Sequence, residues 1–171
     1  MRIGGGAVSI ADVTDRTARD LGFVRPFWLN EIRAGRAFTF VGRIGPTAAN
    51  FSHVQLVNPA ASGITVVVYA IKTGDNVNAE IEVRTHNAEL TNDIGAGVNL
   101  LSGGAAAAAH IRTEDNVALQ GTLIERFPLL AGTPHEIVSG WHMELGAGEG
   151  LLIVPDGSNQ RCFGNFRWIE F

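Results

Sequence analysis

Ile64-Thr65-Val66-Val67-Val68-Tyr69-Ala70-Ile71 decides how the rest of this sequence reads. β-Branched and aromatic residues dominate the run, and apolar side chains fall on both of its alternating faces, which predicts a strand in the middle of a sheet with both sides covered. A turn sequence, Asn58-Pro59-Ala60-Ala61-Ser62-Gly63, leads straight into it. Upstream, Phe51-Ser52-His53-Val54-Gln55-Leu56-Val57 reads as a second strand, with Phe51, His53, Gln55 and Val57 on one face. Phe38-Thr39-Phe40-Val41 reads as a third. Downstream, Ala79-Glu80-Ile81-Glu82-Val83-Arg84-Thr85 alternates strictly, so Glu80, Glu82 and Arg84 are expected on a wet face.

Weaker strand signals recur around 107–112, 117–121, 123–127, 136–143, 150–155 and 161–171, joined by glycine-rich connections with no helix between them. The pattern predicts an all-β body, an antiparallel β-sandwich with jelly-roll connections, rather than an α/β enzyme fold. Ile64, Val66, Val68, Ile81, Val83, Leu152, Val154, Phe166 and Trp168 are expected to supply core. The tract Gly103-Gly104-Ala105-Ala106-Ala107-Ala108-Ala109 reads as small residues permitting close backbone approach, not as a helix.

The N-terminal segment is different. Ser9 caps Ile10-Ala11-Asp12, and Ile10, Val13, Thr14, Thr17 and Leu21 follow at helical spacing before Gly22, which predicts a short amphipathic helix over 10–21. A helix of this length is marginal alone and needs a surface to dock on. Residues 1–44 hold seven arginines against four acids, a net of +3, whereas the remainder carries −7. Residues 1–37 are therefore expected to form an attachment arm and 38–171 the sandwich, with Arg16, Arg19, Leu21, Phe23, Phe27 and Trp28 as the arm's partner-binding residues.

Composition narrows the function classes. With 46% hydrophobic and 18% charged residues the chain buries a real core, and its longest apolar stretches are too short for a membrane helix. The first residues lack the apolar stretch of a signal peptide, and Cys162, the single cysteine, leaves no internal disulfide and no cysteine-based zinc site. These features fit synthesis in a cytoplasm. No Ser lies in a G-x-S-x-G elbow, and Gly146-Ala147-Gly148-Glu149-Gly150 precedes a strand without a lysine, so it reads as a turn and not a phosphate loop. Glu80 and Glu82 lie close enough to hold a cation, but Arg84 beside them favours a solvated surface. Pro155-Asp156-Gly157 has the shape of a cupin turn. The histidine ligands are missing, however: Gln160 stands where the last would be, and His53-Val54-Gln55 and His142-Met143-Glu144 are half-matches. Neither catalytic residues, nor a metal site, nor a cofactor is expected. The acidic body, with Lys72 as its one lysine, argues against nucleic acid as a partner.

Asp15-Arg16-Thr17-Ala18-Arg19-Asp20-Leu21-Gly22, the segment 55–63, the run 141–155 and the terminal Phe166-Arg167-Trp168-Ile169-Glu170 together resemble structural proteins of tailed bacteriophages and phage-like particles. The likeness extends over most of the chain and rests on turn and strand signatures. It implies a virion protein, such as a capsid decoration protein, head fibre or spike, made in the host cytoplasm. It also implies attachment to the major capsid protein or another virion protein through the arm, and a homo-oligomer, with a trimer favoured. A receptor- or glycan-binding module of a tail fibre or baseplate is the alternative, and a cupin-like metal enzyme with degenerate ligands a second one. The resemblance contains no active-site residues to carry over.

Overall fold

The computed structural model describes residues 27–74, 78–137 and 142–171, giving backbone alone for Phe27 and Trp28. Among them the chain forms one helix, α1 (Phe27–Arg33), and twelve strands. These are β1 (Ala37–Ile44), β2 (Phe51–Val57), β3 (Val66–Thr73), β4 (Ala79–Thr85), β5 (Asn92–Ala96), β6 (Val98–Asn99), β7 (His110–Asn116), β8 (Thr122–Leu129), β9 (His135–Ile137), β10 (Met143–Leu145), β11 (Gly150–Pro155) and β12 (Cys162–Glu170). The expected helix over 10–21 lies outside the described residues.

Every strand pairing is antiparallel. Sheet A runs β10-β3-β12-β1-β6, with β9 also on β3, and sheet B runs β5-β7-β2-β11-β4-β8. The result is an all-β sandwich. The strand 64–71 that anchored the sequence reading lies within sheet A between β12 and the β9/β10 side, shifted by two residues to Val66–Thr73.

Phe38, Phe166 and Trp168 of sheet A share one buried core with Val54, Ile111 and Ile153 of sheet B. Phe38 stacks on Trp168 with ring centroids 6.0 Å apart. Two glycines, Gly42 and Gly164, face each other across the β1–β12 pairing and make a dent in sheet A. A Cβ on Gly42 would lie 2.2 Å from Val54, and one on Gly164 would lie 2.3 Å from Ile153, so side chains of sheet B fill the dent. The alanine tract forms no helix, and Ala107 and Ala109 are buried, in keeping with close approach.

Of the nine residues expected in the core, eight are buried and Ile64 is half-buried against the core's edge. Leu152 and Val154 are buried on the outer face of sheet B, since their neighbours Leu151 and Ile153 point into the core. That outer face is roofed by loops, which corrects the expectation of a wet face. Glu80 is exposed, but Glu82 is only 1% exposed and lies between the guanidinium groups of Arg84 and Arg126. Gln55 holds one roof loop by donating to the carbonyls of His86 and Ala88 and accepting from Leu90 N–H.

Other expectations need correction. Residues 117–121 form no strand; Arg84 Nε donates to Gln120 O at 2.6 Å and its guanidinium to Gly121 O at 2.8 Å, which pins them as a second roof loop. The strand expected over 136–143 is two short ones, β9 and β10, which pair with successive parts of β3. β5 and β6 were not expected, because Asn92-Asp93-Ile94-Gly95-Ala96 has poor strand propensity and depends on tertiary bonds such as Asp93 with His110 at 2.9 Å.

Candidate functional site

Sheet A carries a trough of about 810 Å³ on its outer face. The pleat explains its composition. Along β1 the even-numbered Phe38 and Phe40 point into the core, which turns Thr39, Val41 and Arg43 outward; along β12, Phe166 and Trp168 point inward, which turns Phe163, Asn165 and Arg167 outward. The register sets Thr39 opposite Arg167, Val41 opposite Asn165 and Arg43 opposite Phe163. A register shift in the β12–β3 pairing next to Arg167 lets both Tyr69 and Ala70 line the trough.

The polar groups on the floor are oriented. The Thr39 hydroxyl lies within donating reach of Asn165 Oδ1 at 3.0 Å and of Phe166 O at 3.2 Å, so the Asn165 amide turns its oxygen toward Thr39, and its N–H₂ has no hydrogen-bond partner among the described residues. Burial pushes the Tyr69 phenol pKa up, and the nearby Arg167 charge pulls it back in part. Ile32 of α1 forms part of one wall. The helix is fixed there by Glu31, which is buried and accepts from Arg36 Nε at 2.7 Å, and it stops at Gly35, whose φ of +71° admits the left-handed turn. A second depression of about 440 Å³ lies further along the same face, bounded by Arg43, Arg161, Phe163 and Thr133.

The sequence-derived site residues fall elsewhere. Arg16, Arg19, Leu21 and Phe23 lie outside the described residues, and Phe27 and Trp28 form the first turn of α1. No helix was expected over 27–33, where the sequence offered an aromatic pair between Pro26 and Gly35. The trough's own residues were missed, although the alternation of Arg161, Phe163, Asn165 and Arg167 with Cys162, Gly164, Phe166 and Trp168 was a legible signal.

Residues with chemical potential are tied into the fold. Asp156 of the Pro155-Asp156-Gly157 turn accepts from Glu80 N–H at 3.1 Å and returns its own N–H to Glu80 O at 2.9 Å, locking the start of β4. His53 and Gln55 sit on the outer face of sheet B, whereas His142 borders the sheet A trough, so the half-matches to a cupin ligand set are on opposite sides of the sandwich. Among the described residues no three His, Cys, Asp or Glu side chains converge to hold a metal ion. His53 is buried, which lowers its pKa, and its Nε2 accepts from Gln120 N–H at 3.3 Å. Glu149 Oε2 accepts from Gly146 N–H at 2.7 Å and closes the glycine-rich turn between β10 and β11. Cys162 is buried with its Sγ 3.4 Å from Ile153 O.

Comparison with known protein families, curated proteins and solved structures finds no match to this chain.

Proposed function

We propose that this chain is a non-enzymatic structural protein of a tailed-bacteriophage particle, held by its N-terminal segment and displaying a β-sandwich body with jelly-roll connections. The observation that carries the reading is what the polar side chains do. Asp156, Gln55 and Arg84 each join a loop or turn to a strand and Glu149 closes a turn, so side chains that could perform chemistry serve instead to brace the two-sheet body. The opposite charge of the N-terminal residues supports a separate, more acidic partner surface for that segment. Capsid decoration or a head fibre is the preferred placement. The outer trough of sheet A favours a second reading, a receptor-binding module at a tail tip.

Charge reversal in the full-length chain tests the attachment. Arg16→Glu with Arg19→Glu should leave the circular dichroism of the body unchanged while lowering the copy number in purified particles several-fold. Incorporation at normal occupancy would place the contact on the sandwich instead.

A further inference from the structure

Arg33 apart, the arginines among the described residues divide into two groups. Arg36, Arg84, Arg112 and Arg126 each engage a carboxylate. Arg43, Arg161 and Arg167, all at the outer face of sheet A, form no ion pair among the described residues, and Arg161 Nε is shielded from water without a partner. Of the described residues lining the two depressions on that face, Glu136 is the one carboxylate, and Lys72 occupies it at 3.0 Å. In a chain of net charge −4, the described residues thus place three guanidinium groups on one face with no further carboxylate among the lining residues to pair with.

Their placement selects the ligand. Thr39 and Arg167 lie four residues along the strands from Arg43 and Phe163, about 13 Å at ~3.3 Å per residue. That separation suits an extended polymer better than one small anion. Beside the Lys72–Glu136 pair, His142 and the Thr39, Thr133 and Tyr69 hydroxyls, the polar groups presented are donors: three guanidiniums and the amide N–H₂ of Asn165. A sugar chain bearing carboxylates satisfies such a face with charged oxygens and hydroxyl acceptors, and its ring faces can lie on Tyr69 and Phe163. An acidic peptide fits less well, since its backbone N–H groups would meet few acceptors on the face of a sheet; peptides ordinarily add to sheet edges. Nucleic acid needs denser positive charge than three separated arginines on an acidic body.

We infer that the outer face of sheet A is a binding site for a carboxylate-bearing polysaccharide, with Arg43, Arg161 and Arg167 reading the acidic groups and Tyr69 and Phe163 supporting the rings. The inference rests on this face alone and stands whether the protein sits on a head or a tail, so it fails or survives independently of the particle assay.

The test is calorimetric titration of the full-length protein with oligogalacturonate and with oligosialic acid, beside neutral dextran, polyglutamate and oligothymidylate. Binding to at least one acidic glycan, weakened by salt and absent with dextran, is the expected result. Arg43→Gln and Arg167→Gln should each weaken it roughly tenfold, as expected for loss of a charged hydrogen bond, whereas Arg33→Gln, on exposed helix surface, should not. Failure to bind either glycan overturns the inference. So does equal or tighter binding of polyglutamate or oligothymidylate, or unchanged glycan affinity in both arginine variants with intact circular dichroism.

Discussion

Arg84→Met probes the buried ion pair of Glu82 with Arg84. The Glu82 side chain is 1% exposed and Arg84 13%, so the pair is effectively out of water, while the second partner, Arg126, is 54% exposed and 2.7 Å away. Breaking a buried ion pair from one side costs about 3–5 kcal/mol because a charge is left uncompensated. Arg126 remains to offset part of that loss, though water screens it. The carbonyls of Gln120 and Gly121 also lose a donor, but Gly121 O is near solvent and rehydrates. A net loss of about 3 kcal/mol follows, which in urea moves the unfolding midpoint down by about 1.5 M at a slope near 2 kcal/mol/M. The double variant Glu82→Leu with Arg84→Met removes both buried charges together and should recover most of the loss. A midpoint shift below about 0.3 M for Arg84→Met, at unchanged slope, would refute the reasoning. So would a double variant no more stable than the single one.

Gly97→Ala should destabilise by about 1–3 kcal/mol, since its Cβ would lie 2.2 Å from the rigid Trp168 ring, while Gly45→Ala, with nothing within 4 Å, should be nearly neutral in the same denaturation assay. Asn58→Ala removes buried amide bonds to Ile64 O at 2.9 Å and Leu145 O at 3.0 Å, and should lower the thermal midpoint by about 5 °C, measured by calorimetry. Acid should destabilise in two stages. His53, its pKa lowered from 6.5 by burial, takes up its proton more readily when unfolded, so stability falls as pH drops below 6.5, and His53→Gln should flatten that part of the profile. The second stage follows from Glu114 and Asp93, whose burial alone would raise their pKa values. Hydrogen bonds from Thr91 and Asn116 lower that of Glu114, and the bonds of Gly95 N–H and His110 lower that of Asp93, so their contribution is present above the ordinary carboxylate range and lost as pH falls through it.

The strands most legible in the sequence were those with the strongest β-branched or alternating patterns: β2 and β4 appear at their expected positions and β3 with a two-residue shift, while the weaker signal over 150–155 also proves to be a strand, β11. What could not be read was tertiary support. Val117-Ala118-Leu119 looks strand-like, yet Arg84 captures the following carbonyls and holds the segment as a roof. Glu82 alternates as a surface residue and is buried because that roof exists. β5 is short of strand-forming residues and is held by Arg112 and His110 of β7, contacts that no local pattern announces. The trough escaped notice because Thr39, Tyr69 and Asn165 belong to three strands far apart in sequence, and pairing alone brings them to one face.

The proposed role stands most directly on where the protein is found. On the proposed reading, phage particles purified from cells that express the chain from its own genome should contain it at a fixed copy number, by quantitative mass spectrometry, and an antibody against the β-sandwich body should label intact particles. A chain that remains entirely in the cell lysate and is absent from purified particles would contradict the account.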